Sequence, residues 1–206
     1  MTNKTLILSP HPDDAEIGAG GFINHLCNQN GSLLWVVFSS CDESLPRGFD
    51  KGAAVKEFMT VAVNHTIPWR TFDFPVRRFN EHRQDILEVL VEIRQEFNPD
   101  LVLCPSLNDM HQDHSTIAFE AFRAFKSSTI LGYEMLWNQT LTGFNYFVPL
   151  RREDIEAKCE MVKTYKSQLA KGRFDVDVIR SLALVRGAMI GRLQAEAFET
   201  IRVVRQ

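Results

Sequence analysis

Three short, almost entirely apolar runs most constrain the fold of this chain: residues 5–8, 33–38 and 101–104. Runs of this length without regular polar alternation are typical of parallel strands that are covered on both faces. Between them, apolar residues recur at helical spacing, as at Ile86 and Leu90. The alternation of strands and helices predicts an α/β, three-layer Rossmann-like fold with a mostly parallel sheet flanked by helices.

A length of 206 residues suits one substantial α/β unit, and we expect residues 1–206 to form a single domain. Later in the chain, further strands are predicted at residues 70–74, 130–134, 144–148 and 198–204, the last as an edge strand. Helices are predicted at residues 17–28, 153–169 and 176–193. The last helix has one apolar face, which comprises Val178, Leu182, Val185 and Met189.

Polar clusters follow two of the predicted inner strands. The sequence His-Pro-Asp-Asp at residues 11–14 comes after the first strand, and His-Gln-Asp-His at residues 111–114 comes after the strand at residues 101–104. In an open parallel sheet, ligands bind outside the carboxyl ends of the strands. We therefore expect both clusters to meet in one crevice.

The spacing within the clusters is compatible with a metal site. His11 and Asp14 are three residues apart across a proline-stiffened turn, and His111 and His114 are three apart near a helix start. A set of imidazoles and carboxylates without thiolates suits a catalytic Zn²⁺ site with three protein ligands and one position for water, although Fe²⁺ binds similar sets. We take His11, Asp14 and His114 as the ligands.

This choice leaves Asp13 and His111 beside the metal as acid or base groups. Asp13 is too close in sequence to Asp14 to bind the same ion comfortably, but it could take a proton from the metal-activated water. His111, if protonated, could stabilise the tetrahedral intermediate or protonate the leaving group. Such machinery cleaves amides or esters.

The same motifs resemble the PIG-L-like (LmbE-like) N-acetylglucosaminyl de-N-acetylase family. The likeness includes the Glu-x-Gly-x-Gly-Gly sequence at residues 16–21 and weaker landmarks at residues 167–168 and 195–199, so it covers nearly the whole chain. It implies a zinc-dependent hydrolase that removes acetyl from the 2-amino group of a GlcNAc-like sugar. By the family pattern, the zinc ligands correspond to His11, Asp14 and His114. The general base corresponds to Asp13, and the group that stabilises the intermediate corresponds to His111.

The chain departs from the family pattern at two points. Many members have Glu directly after the Asp pair, where this chain has Ala15 and then Glu16. Members also often carry a substrate-binding Arg three residues before a helical Glu; if that Glu is Glu57, the Arg position is Ala54. The cations that could replace it are Arg47, Lys51 and Arg173.

Three polar or aromatic residues near a late strand, Tyr133, Trp137 and Asn138, could line the crevice. Packing in the core or at an interface is the favoured interpretation, because aromatic residues dominate both kinds of surface.

Other functions remain open at this stage. A metal-dependent phosphoesterase commonly uses two ions about 3.5–4 Å apart, whereas about five ligand candidates suit one ion better. A non-catalytic metal-binding or sugar-binding module would not need Asp13 and His111. A nucleotide-binding protein is disfavoured, because the glycines at residues 18–21 lack G-x-G-x-x-G spacing and follow an acidic turn.

The net charge and the composition narrow the classes of molecule that this chain could bind. A net charge of −3 gives no bulk attraction to nucleic acid, and no apolar stretch approaches the ~20 residues that a membrane span requires. The four cysteines are widely separated without C-x-x-C pairs, as expected for reduced thiols. We expect a cytoplasmic homo-oligomer whose partner is an N-acetyl amino sugar, free or attached to a carrier.

Overall fold

The computed structural model describes residues 4–139, 143–172 and 175–205. Its strands are β1 (Lys4–Ser9), β2 (Ser32–Val37), β3 (Trp69–Thr71), β4 (Leu101–Pro105), β5 (Thr129–Tyr133), β6 (Tyr146–Pro149) and β7 (Ala195–Arg202). Its helices are α1 (Asp14–Asn28), α2 (Ala53–Asn64), α3 (Arg83–Phe97), α4 (Gln112–Ala124), α5 (Arg152–Thr164), α6 (Lys166–Leu169) and α7 (Val176–Ala188).

The seven strands form one sheet in the order β3-β2-β1-β4-β5-β7-β6. Strands β1 to β5 are parallel, and β7 runs antiparallel to both β5 and β6. The chain moves outward from β1 in one direction through β2 and β3, and in the other direction through β4 and β5. The topological switch point therefore lies between β1 and β4.

Alternate residues of each inner strand enter different hydrophobic cores. On β1, Ile7 packs with the cluster under α1, α2, α5 and α7, whereas Leu6 and Leu8 pack with the cluster under α3 and α4. The predicted three-layer α/β architecture is thus confirmed, with a mostly parallel sheet between two helical layers.

The small residues of α1 allow its close approach to the sheet and to α5. A Cβ atom added to Gly18 would collide with the ring of Tyr133, and one added to Gly21 would lie 2.7 Å from Cδ1 of Leu150. Glycine at these positions therefore sets the distance between α1 and its neighbours.

Three predictions about the elements were wrong. The helix predicted at residues 153–169 is broken at Tyr165, whose backbone (φ −82°, ψ 68°) is not helical, so that α5 and α6 are separate. The strand near the carboxyl end is not an edge strand: β7 lies between β5 and β6, and its Phe198 is fully buried.

The third error concerns α7, which ends at Ala188 rather than at residue 193. Its buried face comprises Ile179, Ala183, Arg186 and Gly187. The apolar face that comprises Val178, Leu182, Val185 and Met189 is largely exposed, with Val185 and Met189 more than half accessible. The packing surface consists instead of one isoleucine, two small residues and Arg186, whose guanidinium pairs with Glu134.

Candidate active site

The two polar clusters lie side by side because β1 and β4 are neighbours in the sheet. The turn after β1 is closed by the backbone N–H of His11, which donates to Oδ2 of Asp14 over 2.8 Å. After β4, the loop returns into α4, which begins directly after His111. The turn before α1 and the first turn of α4 thereby face each other at the switch point.

Three side-chain atoms converge there: Nδ1 of His11, Oδ2 of Asp14 and Nε2 of His114. Oδ2 of Asp14 lies 3.1 Å from the His11 nitrogen and 3.2 Å from the His114 nitrogen, and the two nitrogens are 3.3 Å apart. Ligand atoms of a tetrahedral zinc site, with metal–ligand distances near 2.0–2.1 Å, are separated by roughly 3.3 Å. The triangle therefore has the dimensions of one face of such a site.

Two further carboxylates orient the imidazoles. Nε2 of His11 lies 2.9 Å from Oδ2 of Asp113, and Nδ1 of His114 lies 2.7 Å from Oδ2 of Asp109. Such contacts hold a proton on the far nitrogen of each ring and leave the near nitrogen with its lone pair directed at the triangle. The residues present thus fit a divalent cation.

Neither Asp109 nor Asp113 was among the predicted site residues. The N-cap of α4 is His111, whose side chain accepts a hydrogen bond from the backbone N–H of Asp113. The position of Asp109, five residues before His114, is the feature of the sequence that could have identified it.

The buried charges make this point of the structure attractive to a cation. Burial alone would raise the pKa of Asp14, but the imidazoles of His114 and His11 hold it well below its ordinary value. Burial would lower the pKa of His114, but Asp14 and the hydrogen bond that His114 donates to Asp109 raise it to about 10. The carboxylates therefore stabilise positive charge between the two rings.

His111 also lies near the triangle, 4.5 Å from His114 between ring centroids. One of its nitrogens comes within 4.8 Å of ligand nitrogens of His11 and His114, so these three imidazoles form an alternative ligand set. Asp14 is the better third ligand, because its oxygen is about 3 Å from both nitrogens and Nδ1 of His111 already accepts a hydrogen bond. Burial, together with the charges of His114 and His11, lowers the pKa of His111 to about 4.

Asp13 has a backbone conformation that is unusual for a residue other than glycine, with φ of 97°. Such strain is commonly retained at functional sites. Asp13 directly precedes α1 and lines the same cavity as His11, Asp14 and His114. Burial, with the nearby carboxylates of Asp14 and Glu16, raises the pKa of Asp13 well above its ordinary value.

The cavity has a volume of about 380 Å³, within the range of small-molecule sites. All five residues of the predicted site line it: His11, Asp13, Asp14, His111 and His114. Trp137 and Asn138 also line it, contrary to the favoured packing interpretation. Tyr133 instead is buried in the core, where its hydroxyl donates to the carbonyl of Leu8.

The cations of the cavity are not the ones that the sequence suggested. Arg47 and Lys51 are exposed and do not belong to the described lining, and Arg173 lies outside the described residues. Ala54 is buried. Arg77 and Lys171 line the cavity instead, and no sequence motif marked them.

Comparison with known proteins agrees with the family resemblance of the two motifs. Residues 6–125, more than half of the chain, match the PIG-L family, GlcNAc-PI de-N-acetylase. The diacetylchitobiose deacetylase of Thermococcus kodakarensis is 27% identical over 229 aligned positions, which cover 96% of this chain and 83% of the relative.

Solved structures share the fold. The N,N'-diacetylchitobiose deacetylase of Pyrococcus horikoshii superposes with a TM-score of 0.78 at 21% identity, covering 97% of this chain and 84% of that one. The 4-carboxy-2-hydroxymuconate hydratase GalB of Pseudomonas putida KT2440 gives 0.80 at 19% identity, covering 99% of each chain. One fold thus carries two chemistries, and the choice between them must come from the site.

Proposed function

We propose that this chain, which belongs to the PIG-L family and is an amide hydrolase that removes acetyl groups, depends on zinc. Its proposed substrate is the acetamido group of a GlcNAc-like amino sugar or its conjugate. The observation that carries the proposal is the triangle of His11, Asp14 and His114 next to Asp13 in one cavity. We take residues 1–206 as one deacetylase domain.

His11, Asp14 and His114 would hold the ion. When bound, zinc lowers the pKa of water and draws electron density from a carbonyl oxygen. Asp113 and Asp109 keep the two imidazoles in the tautomer and orientation that binding requires.

Asp13 is the proposed general base. Its carboxylate takes a proton from water as the water oxygen bonds to the acetamido carbon, and it returns a proton to the sugar nitrogen as the carbon–nitrogen bond breaks. Acetate and a free amino sugar result. Asp13 lines the same cavity as the three proposed ligands.

His111 is the proposed donor to the tetrahedral intermediate. Because its Nδ1 accepts the N–H of Asp113, the hydrogen of the neutral ring is on Nε2. A neutral donor needs no added proton, which agrees with its lowered pKa. Such donors stabilise the negative charge that develops on the carbonyl oxygen.

The test is an acetate-release assay with zinc-reconstituted protein on N-acetyl sugars and their conjugates. Asp13→Asn should lower turnover by about 10²–10⁴-fold with zinc content unchanged, because it removes the base and no ligand. Asp50→Asn, at an exposed carboxylate outside the cavity, is the matched control. Normal turnover by Asp13→Asn would remove Asp13 from the mechanism.

Metal stoichiometry separates this function from the phosphoesterase alternative. Within the part of the chain that the structure describes, the side chains form one metal-sized cluster, so we expect one zinc per chain. Two ions per chain together with release of phosphate would favour the phosphoesterase.

A further inference from the structure

We propose that Trp137 is the platform on which the pyranose ring of the substrate stacks, and that this contact makes the enzyme select a cyclic amino sugar over an acyclic acetamide. The inference rests on the proposed function and names a residue that sets its specificity. The position of the indole, the chemistry of the cavity wall and the anchoring of the segment support it.

Trp137 is a tryptophan that the fold leaves half-exposed. Its accessible fraction is 45%, whereas Trp35 in the core is fully buried. The residue lines the cavity that holds the triangle. Tryptophan is highly buried on average, because its side chain carries a large apolar area. An indole left exposed at the wall of a cavity therefore offers apolar area that a ligand can cover.

The indole adds a flat apolar surface to a wall with many polar side chains. Among the described residues of the lining, Trp137 is the only aromatic one besides the histidines. A pyranose ring has hydroxyl groups at its edge and C–H bonds on its faces, and the negative π-face of an indole attracts the slightly positive C–H hydrogens. Ligand sites commonly combine aromatic surface with a few polar groups that fix orientation. An acyclic acetamide has no ring face to stack.

Trp137 occupies a central position of a tight turn. The backbone N–H of Asn138 donates to the carbonyl of Met135 over 3.0 Å, which closes a four-residue turn around Leu136 and Trp137. Met135 is buried, whereas the two central side chains are exposed to the same extent. Of these two, only Trp137 belongs to the described lining of the cavity. The turn thus presents the indole to the cavity.

Both ends of this turn are held by other elements. On the side of β5, the carboxylate of Glu134 accepts two hydrogen bonds from the guanidinium of Arg186, over 2.5 and 3.0 Å, and both side chains are buried. On the other side, the carbonyl of Asn138 accepts the backbone N–H of Met110 over 2.9 Å. A platform that is held in this way is preorganised, so little conformational freedom is lost when a ligand binds.

Asp109 connects this turn with the triangle. Nδ2 of Asn138 donates to Oδ2 of Asp109 over 3.4 Å, and the same oxygen lies 2.7 Å from Nδ1 of His114. Oδ1 of Asp109 accepts the backbone N–H of His111 over 2.9 Å. One carboxylate therefore contacts the turn, a proposed zinc ligand and the proposed donor to the intermediate. A sugar ring stacked on Trp137 is thereby held at a defined position relative to the reacting groups.

The test compares a cyclic with an acyclic substrate of the zinc enzyme, N-acetylglucosamine with N-acetylethanolamine. Trp137→Ala should raise KM for the sugar about tenfold and leave kcat within about twofold, because stacking stabilises the bound ground state and the transition state alike. The value of kcat/KM for N-acetylethanolamine should be lower than for the sugar and unchanged by the substitution. Trp137→Phe, which keeps an aromatic face, should restore most of the affinity for the sugar.

Leu136→Ala is the matched control, because Leu136 is equally exposed in the same turn but outside the described lining of the cavity. An equal rise of KM in Leu136→Ala, or a rise in Trp137→Phe as large as in Trp137→Ala, would overturn the inference. An unchanged KM in Trp137→Ala would also overturn it. A simultaneous fall in molecular mass, measured by sedimentation, would then assign the indole to a contact between subunits.

Fluorescence separates this inference from the proposed function, because it needs no turnover. The other two tryptophans, Trp35 and Trp69, lie outside the described lining. N-acetylglucosamine titrated into zinc-loaded Asp13→Asn protein should change the tryptophan emission. Adding Trp137→Phe should abolish that change, while calorimetry still detects binding of the sugar.

The two failures are distinguishable. If no substrate releases acetate, the deacetylase proposal fails, and the titration still tests the platform. Absence of binding, or binding without a change in emission, overturns the platform whether or not acetate is released.

Discussion

Nδ1 of His11 lies 3.3 Å from Nε2 of His114, although 103 positions separate the two residues in the chain. With their other nitrogens directed at Asp113 and Asp109, both rings direct their near nitrogens at each other and at Asp14, and the carboxylates raise the pKa of His114. Lone pairs at such distances repel unless positive charge lies between them. A cation at this point should therefore stabilise the fold as well as support activity.

The first prediction follows from this contact. Removal of metal with a chelator should abolish acetate release and lower the free energy of unfolding by about 4 kcal/mol relative to protein in zinc at a thousand times its Kd. Denaturation in urea with and without zinc measures the difference, and elemental analysis confirms the metal content. Identical unfolding curves would exclude a tightly bound cation.

The second prediction concerns the carboxylate that orients His11. Asp113→Asn should weaken zinc binding by about 10–100-fold, because the amide no longer fixes the tautomer and orientation of the ring. Competition with a chromogenic chelator gives the affinity. Asp85→Asn, at an exposed carboxylate on α3, is the control, and equal zinc affinities in the two variants would exclude an orienting role for Asp113.

The third prediction isolates His111. If it donates a hydrogen bond to the intermediate and does not bind metal, His111→Ala should lower kcat by about 10²–10³-fold while zinc affinity stays constant. His82→Ala, at a histidine outside the cavity, should have no effect on kcat. Loss of zinc in His111→Ala would instead support the three-imidazole ligand set.

Much of this architecture could be predicted from local sequence. Buried parallel strands are continuous apolar runs, so the positions of β1, β2 and β4 were predicted to within one residue. The two polar clusters follow β1 and β4, which the topology of the sheet makes neighbours. The five residues of the predicted site line one cavity. Their catalytic roles, the metal and the homo-oligomer stay predictions.

The features of the fold and of the site that the sequence did not predict depend on contacts between segments that are distant in the chain. An antiparallel strand inserted between two others, as β7 is, has no local signature that distinguishes it from an edge strand. The exposed apolar face of α7 has the same periodicity as a buried one, and on the covered side Gly187 packs closely against the backbone of Arg192 and Gln194. Arg77 reaches the cavity through a strained backbone that Asp113 stabilises from another element.

Among residues 4–139, 143–172 and 175–205, no helix combines the length and apolar character that crossing a bilayer requires.

The fourth prediction is a pH dependence. Burial raises the pKa of Cys27 to about 11, so that at pH 8 roughly one thiol in a thousand is ionised, about a hundredfold less than at the ordinary value near 9. Because the thiolate is the nucleophile, alkylation by iodoacetamide should be slow at pH 8 and accelerate about tenfold per pH unit up to pH 11. Site-resolved mass spectrometry measures the rate, with urea-unfolded protein as the control. A rate at pH 8 equal to that of the unfolded chain would contradict the shift.

The fifth prediction concerns a buried pair behind the site. Glu16 is fully buried, and its Oε1 accepts a hydrogen bond from the hydroxyl of Tyr165, whereas its Oε2 has no hydrogen-bond partner among the described residues. Tyr165→Phe should cost about 1–3 kcal/mol in the free energy of unfolding, because it leaves a second buried oxygen without this donor. Tyr146→Phe, at an exposed tyrosine, should be neutral. In the double variant Glu16→Met/Tyr165→Phe, removal of both polar partners should recover most of the loss; an additive loss would show that the two side chains are energetically independent.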